Sequence, residues 1–290
     1  MASLKQFFFA HLYAPLFWAG FVLPVILAGP RDPRESPMIF FLLGAILVSF
    51  LAERISPFNA DWNRNKNDGV RDFFHAVVNH LTMIGFMTAV YYLFDVIKIP
   101  TLQVWPRTWP FFVQVMLALL IADALMTFAH YISHRNEFLW RLHSVHHSVK
   151  RVYAFNGLMK HPVHKFFEAS CGFIPLFLLG MPVWLGFFTG YVAAIHFFLS
   201  HANVNMKNRF LSKSLALASV HRFHHLQKRR SAVNYGIMFN FWDMMLGTFH
   251  DDPKAVLVTE ELGIRDYPDY PDDYLSQMII PFRGWRSKSE

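Results

Sequence analysis

Apolar residues in this chain gather into long unbroken runs, with neither the alternation of a strand nor the one-sided stripe of a soluble helix. Four runs, at residues 11–29, 38–53, 73–96 and 111–133, approach or reach the roughly 20 helical residues that cross a bilayer. The second is the shortest, with an apolar centre of Met38–Leu51, and crosses by tilting or by borrowing flanking residues. A fifth apolar region, residues 171–200, is broken by Pro175, Gly180 and Pro182. It predicts a re-entrant helical hairpin dipping into the membrane rather than one straight span. The N-terminus has a single lysine, Lys5, before its apolar run and no small-residue cleavage site ahead of Pro30, so it reads as a retained span and not a cleaved signal. The pattern predicts an all-α integral membrane protein, residues 1–290 forming one membrane domain. No internal repeat interrupts it, and the acidic DYPDYPDDY stretch at 266–274 reads as a solvated loop.

Composition strengthens that picture. Hydrophobic residues make up 54% of the chain and charged ones 16%, against about 25% charged in a soluble domain. The net charge of +7 does not indicate nucleic acid, because the basic residues lie scattered between apolar runs. Anionic lipid headgroups are the better partner. With Cys171 as the lone cysteine, an internal disulfide and a thiolate-rich metal site are both excluded.

Loop charges set an orientation. The segment 53–72 carries Arg54, Arg64, Lys66 and Arg71, whereas 30–37 and 98–110 carry two basic residues each. The positive-inside rule places the N-terminus, the 53–72 loop and everything after Ser133 in the cytoplasm.

Sixteen histidines are the anomaly. His130 and His134 stand four apart at the end of the fourth run, a spacing that puts both rings on one helical face. His143, His146 and His147 follow at i, i+3 and i+4, and His221, His224 and His225 repeat the form. Eight neutral imidazoles exceed what one ion holds, and clustering them in an apolar setting without metal carries a desolvation cost. Two metal ions sharing the set is the economical arrangement. Asp123, seven residues ahead of His130 in an otherwise apolar span, marks function in a membrane. It is expected to accept the ring N–H of a ligand such as His130.

These elements in order resemble a known family: Asp123, HYISH at 130–134, LWRLHSVHH at 139–147, HP at 161–162, HAN at 201–203, HRFHH at 221–225, NYG at 234–236, then FWD and LGTF within 241–249. Together, over residues 123–250, they are similar to the fatty acid hydroxylase/sterol desaturase superfamily. ERISP at 53–57, with Trp62 after it, adds to the likeness. The resemblance implies a four-helix membrane anchor under a cytosolic helical cap that carries a non-haem di-iron site, with zinc as a substitute after purification. It implies hydroxylation or desaturation of a lipid, such as a fatty acyl chain or sterol, with O₂. Electrons come from a separate donor such as a cytochrome b5-like protein, a ferredoxin or a reductase. A further ligand pair would be His196 and His201. At i and i+5 these do not share an ideal helical face, so His196 joins only through a bulge or a helix end. Asn234 fits a turn with positive φ and equally a direct role at the catalytic site, and Asp243 is expected to support the site from behind a ligand. His161 reads as structural, and His11, His75, His80, His164 and His250 as interfacial or core residues. Tyr131 stands where the family often has arginine.

Two other classes remain open. A zinc-dependent membrane hydrolase would use the same rings, but no HExxH-type glutamate stands among them to act as base. A haem-binding carrier or metal transporter would place its ligands within the membrane, and the clusters lie beyond the last span. The chain's compactness and the lack of a lysine-rich retrieval tail favour a bacterial inner membrane over the endoplasmic reticulum.

Overall fold

A computed structural model describes residues 3–29, 37–227, 232–252, 254–255 and 257–283. Among them there is no strand, only three isolated bridges that pair Pro57 with Val204, Leu215 with Phe239 and Leu226 with Leu262. The fold is all-α, as the apolar runs predict. Five helices are long and apolar enough to cross a membrane: α1 (Leu4–Ala28), α2 (Met38–Ile55), α3 (Gly69–Val96), α4 (Phe111–Ser133) and α7 (Val183–Ser200). The shortest, at 18 residues, spans about 27 Å, close to the hydrocarbon thickness of about 30 Å. Phe40, Leu47 and Phe112 point outward and exposed. A soluble monomer rarely presents such a surface, and a bilayer requires it. The chain is a multi-pass membrane protein. The loop at 30–36, one of those used for orientation, lies outside the described residues.

Helices α1 and α3 begin earlier than their hydrophobic runs because their polar first turns are satisfied, whereas α2 and α4 begin where the runs do. Ser3 opens α1 with a capping box shared with Gln6. α3 opens at Gly69 and carries Arg71 and Asp72 into the interior, where they pair at 2.8 Å and Tyr153 donates to Asp72 at 2.7 Å. The same holds for the hairpin of α6 (Pro162–Leu178) and α7. Its first arm starts well ahead of Cys171, because His164 and Glu168 on its opening turns are fully buried beside the histidines. Pro162 sits in the first turn, and His161 Nδ1 accepts from Val163 N–H at 3.2 Å. Proline at a helix start removes only a donor that would be unpaired anyway.

The hairpin does more than dip. Its tip turns at Gly180, whose φ of +94° suits only glycine. The backbone N–H groups of Val104 and Trp105 both donate to Leu179 O at 3.0 Å. That loop joins α3 to α4 at the end of the bundle opposite His130 and His134, so the hairpin runs the bundle's full height.

At the histidine end, short elements form a cap: α5 (Glu137–His147), α8 (Arg209–Ser214), α9 (Ala218–His221) with its 3₁₀ extension Arg222–His225, α10 (Phe241–Leu246) and α11 (Tyr274–Ile279). They enclose a second apolar core that includes Trp62, Val145, Met159, Phe223, Leu262 and Ile264. The α2–α3 loop is fastened to this cap. Arg151 pairs with Asp68 at 2.7 Å, and Phe58 N–H donates to Asn203 O at 3.0 Å. The basic loop and the histidines therefore share one end. The DYPDYPDDY stretch is less solvated than its composition suggests, since Tyr270 is buried and its hydroxyl meets Ser144 Oγ at 3.1 Å.

Candidate metal centre

Nine of the ten histidines expected as ligands converge into two adjacent groups. His130, His134, His143, His147 and His224 form group A, and His146, His201, His221 and His225 form group B. Within each group one ring nitrogen per residue lies within 4.8 Å of the others, and no ring is more than 4% exposed. Each HxxHH motif is divided between the groups. On α5, i and i+4 differ by about 40° around the helix axis while i+3 lies about 60° the other way. His143 and His147 thus face group A, and His146 faces group B. The second motif reverses the partition, with His221 and His225 in group B and His224 in group A. Each group receives a pair from one motif and a single ring from the other.

The spacing of the nitrogens fits a metal ion. In group A, His143 Nε2 lies 3.0 Å from His130 Nε2 and 3.1 Å from His147 Nε2, which lies 3.1 Å from His224 Nε2. In group B the Nε2 atoms of His146 and His201, and of His221 and His225, stand 3.3 Å apart. At a metal–nitrogen distance of about 2.1 Å, polyhedron edges are about 3.0 Å (octahedral) and about 3.4 Å (tetrahedral). An Nε2 carries at most one proton, so atoms that each face two others cannot all be joined by hydrogen bonds. A cation satisfies every lone pair at once.

Backbone carbonyls orient several rings. His130 Nδ1 donates to Tyr235 O at 2.7 Å, His146 Nδ1 to Met159 O at 3.0 Å and His224 Nδ1 to Val233 O at 2.8 Å. A proton held at Nδ1 leaves Nε2 free as a ligand. Burial, reinforced by neighbouring imidazoles, holds His143, His146, His147, His221 and His225 well below the ordinary histidine range. Burial likewise brings His224 to about 4 and His201 to about 3. Neutral rings are the metal-binding form.

The remaining expected residues stand elsewhere. His196 belongs to neither group: its Nδ1 accepts from Trp18 Nε1 at 3.3 Å and its Nε2 faces Ala216 O at 3.3 Å. No bulge in α7 turns it toward His201, which lies just past the helix end. Asp123 does not touch His130; its two oxygens accept from Met238 N–H at 2.8 Å and Phe239 N–H at 3.0 Å. Asp243 accepts from Tyr235 N–H at 2.7 Å and Gly236 N–H at 2.6 Å. The two carboxylates thus clamp the segment whose Tyr235 carbonyl orients His130. Asn234 adopts φ +54° and ties Val220 O and His250 N–H together, a turn role. His161 caps α6, His75 bonds Gln277 at 2.8 Å, and His11, His80 and His250 are exposed. Tyr131 stacks under the Arg135 guanidinium at 3.7 Å.

Sequence reasoning missed three buried residues beside the groups: Lys160, His164 and Glu168. Lys160 pairs with Glu168 at 2.5 Å and, with His130, His146, Phe197, His201 and Ile237, helps line a cavity of about 10 Å³ touching both groups. A second, mostly apolar cavity of about 20 Å³ lies between α4, α6 and α7 among Leu119, Met126, Phe173 and Ala193, and shares the Ile237 wall. Each is about the size of one or two waters, so anything larger enters by displacing side chains, with Ile237 standing between.

Comparison with known proteins agrees with this arrangement. The fatty acid hydroxylase family model matches residues 115–248. The chain is 31% identical over 250 residues to the ornithine lipid hydroxylase OlsE of Rhizobium tropici, covering 83% of this chain and 74% of that protein. It is 28% identical over 172 residues to sphinganine C4-monooxygenase 1 of Arabidopsis thaliana, covering 55% and 63% of the two chains. It is 32% identical over 139 residues to the very-long-chain aldehyde decarbonylase GL1-9 of Oryza sativa, where it spans about half of the relative, 54%. No solved structure matches the chain.

Proposed function

Because the chain belongs to the fatty acid hydroxylase family, whose members are lipid-modifying membrane oxidoreductases, we propose that it hydroxylates a membrane lipid at two iron ions held in groups A and B. The carrying observation is the pair of buried, all-imidazole groups that face one cavity, with an apolar cavity behind it. Iron in the two groups would supply O₂ reduction and oxidation of an unactivated C–H bond, chemistry that no side chain provides. The protein's own part is to orient the rings through the carbonyls of Tyr235, Met159 and Val233, to exclude water by burial, and to admit a lipid past Ile237. No carboxylate lines the cavity against the two groups among the described residues, which disfavours a zinc hydrolase needing a general base.

The Rhizobium relative is named for ornithine lipid, which favours an amphiphilic bacterial lipid over a sterol as substrate. Reduction of O₂ in the proposed reaction would consume electrons, which an external donor would supply, a ferredoxin, reductase or cytochrome b5-like protein. The basic α2–α3 loop, fastened to the cap, supports a cytoplasmic site in a bacterial inner membrane. The test is turnover of extracted lipid under ¹⁸O₂ with a reductase system. A hydroxylated lipid carrying one labelled oxygen is expected. Loss of two hydrogens with label in water would identify a desaturase, and turnover undiminished without oxygen would overturn the oxygenase reading.

A further inference from the structure

Beside group A lies a polar cluster that the reaction as described does not use. One ring nitrogen each of His143 and His164 and a carboxylate oxygen of Glu168 lie within 4.8 Å of one another. The His143 and His164 rings are 4.6 Å apart between centroids. All three residues are at most 1% exposed. His143 Nδ1, His164 Nδ1 and Glu168 Oε1 each lack a hydrogen-bond partner, and the last two stand 3.7 Å apart. The other ends of the cluster are committed. His143 Nε2 faces group A, His164 Nε2 meets Ser133 Oγ at 2.9 Å and Glu168 Oε2 holds Lys160.

Buried polar atoms without partners carry a penalty of about 1–3 kcal/mol each, so three of them on residues whose ring and carboxylate atoms gather within 4.8 Å define a site rather than an accident of packing. A third metal ion is the less favourable occupant. The Lys160 ammonium already neutralises Glu168, and His143 would have to bridge two cations through one ring. A single water suits the span, since water bonds two to four polar groups. It would accept from His143 Nδ1–H and donate to Glu168 Oε1.

We propose that Glu168 is a positioning residue for group A: through a water shared with His164 it fixes the His143 Nδ1 proton and so directs His143 Nε2 at the metal. The inference rests on group A holding an ion, as the proposed function requires. It places Glu168 behind His143 where the Tyr235 carbonyl stands behind His130.

The test uses the full-length chain in detergent, stripped and reloaded with Co²⁺. Metal content and the cobalt d–d absorption are followed against a chelator. The unsubstituted protein is expected to hold two ions. In Glu168→Gln, one ion is released at about 10–100-fold lower chelator concentration, the usual scale when the partner of a ligating histidine is lost, while the other is unchanged. His201→Ala, which disables group B, isolates the group A ion, and adding Glu168→Gln to it should weaken that ion equally. If Glu168→Gln does not accumulate, His164→Asn is read instead. It leaves the Lys160–Glu168 pair but removes the ring beside His143, and it should show the same selective weakening. Release curves identical to those of the unsubstituted protein would overturn the proposal while leaving two-ion binding intact. Three ions per chain, one lost with Glu168, would overturn it in favour of a third metal site. Fewer than two ions in the unsubstituted chain would refute the two-ion reading itself.

Discussion

Replacing Asp123 with Asn tests how the 235–239 segment holds His130. The carboxylate accepts two backbone N–H groups, Met238 at 2.8 Å and Phe239 at 3.0 Å, in a buried setting where no water replaces it. Asparagine offers one oxygen, and its amide group would face the second N–H donor to donor. One buried N–H is left unpaired, at about 1–3 kcal/mol. The loss passes to His130 through the Tyr235 carbonyl, 2.7 Å from Nδ1. A group A affinity lower by about 10–100-fold is expected. Asp243→Asn loosens the same segment from the other side, so the two substitutions should not add. Contacting residues couple by about 0.5–3 kcal/mol. The assay is a double-substitution cycle reading metal retention against chelator and the thermal unfolding of the metal-free chain. Unchanged retention in Asp123→Asn, or strict additivity with Asp243→Asn, would refute the clamp.

Three further outcomes follow from the geometry. His201→Gln should reduce bound metal from two ions to one, whereas His196→Gln should retain both; elemental analysis showing equal loss would return His196 to the ligand set. The metal-free chain should lose stability as pH falls. Free histidine titrates near 6.5, but His224 and His201 do so at about 4 and about 3 when folded, so the unfolded chain takes up more protons between those values. Stability should be level above about pH 7 and fall toward about pH 4, and unfolding midpoints that hold steady or rise on acidification would contradict it. Reporters fused after Ser133 and at Arg64 should label one side of the membrane and a reporter at Gln103 the other. Agreement between Arg64 and Gln103 would break the topology.

Legibility in the sequence divided along a physical line. A run of apolar residues long enough to span announces itself without any partner, so α1 to α4 were visible before any contact was known. The ends of helices were not, because a polar first turn looks like a loop until its partner is seen. Arg71 and Asp72 pair with each other and with Tyr153, while His164 and Glu168 sit against group A. Of the three hairpin breakers, Gly180 and Pro182 fall at the turn, whereas Pro175 lies within α6. How far the hairpin reaches depended on Leu179 meeting Val104 and Trp105, residues 75 and 74 positions earlier in the chain. The HxxHH motifs carried the chemistry, yet one helical face was too coarse a description, since the step of about 100° between i+3 and i+4 sends His146 and His147 to different groups.

The carboxylates show most clearly what spacing alone conceals. Asp123 shares a face with His130, but seven residues of helix separate them by about 10 Å along the axis, beyond the reach of an aspartate. It is level instead with Met238 and Phe239, and its influence on His130 arrives through a backbone carbonyl contributed more than 100 residues later. Glu168 presents the converse case. Nothing in its spacing from a histidine motif resembles a ligand partner, and only the packing of α6 against α4 and α5 brings it behind His143. Both follow from the ligand chemistry. In the proposed two-ion centre nine neutral imidazoles would compensate none of the cations' charge, and a carboxylate placed directly among them would take a coordination position that substrate or O₂ would need. Asp123 and Asp243 reach His130 only through the 235–239 backbone, and the charge of Glu168 is met by Lys160, so these acids can hold the rings in place while leaving every facing ring nitrogen to its group, and they lie outside the histidine motifs that announce the centre.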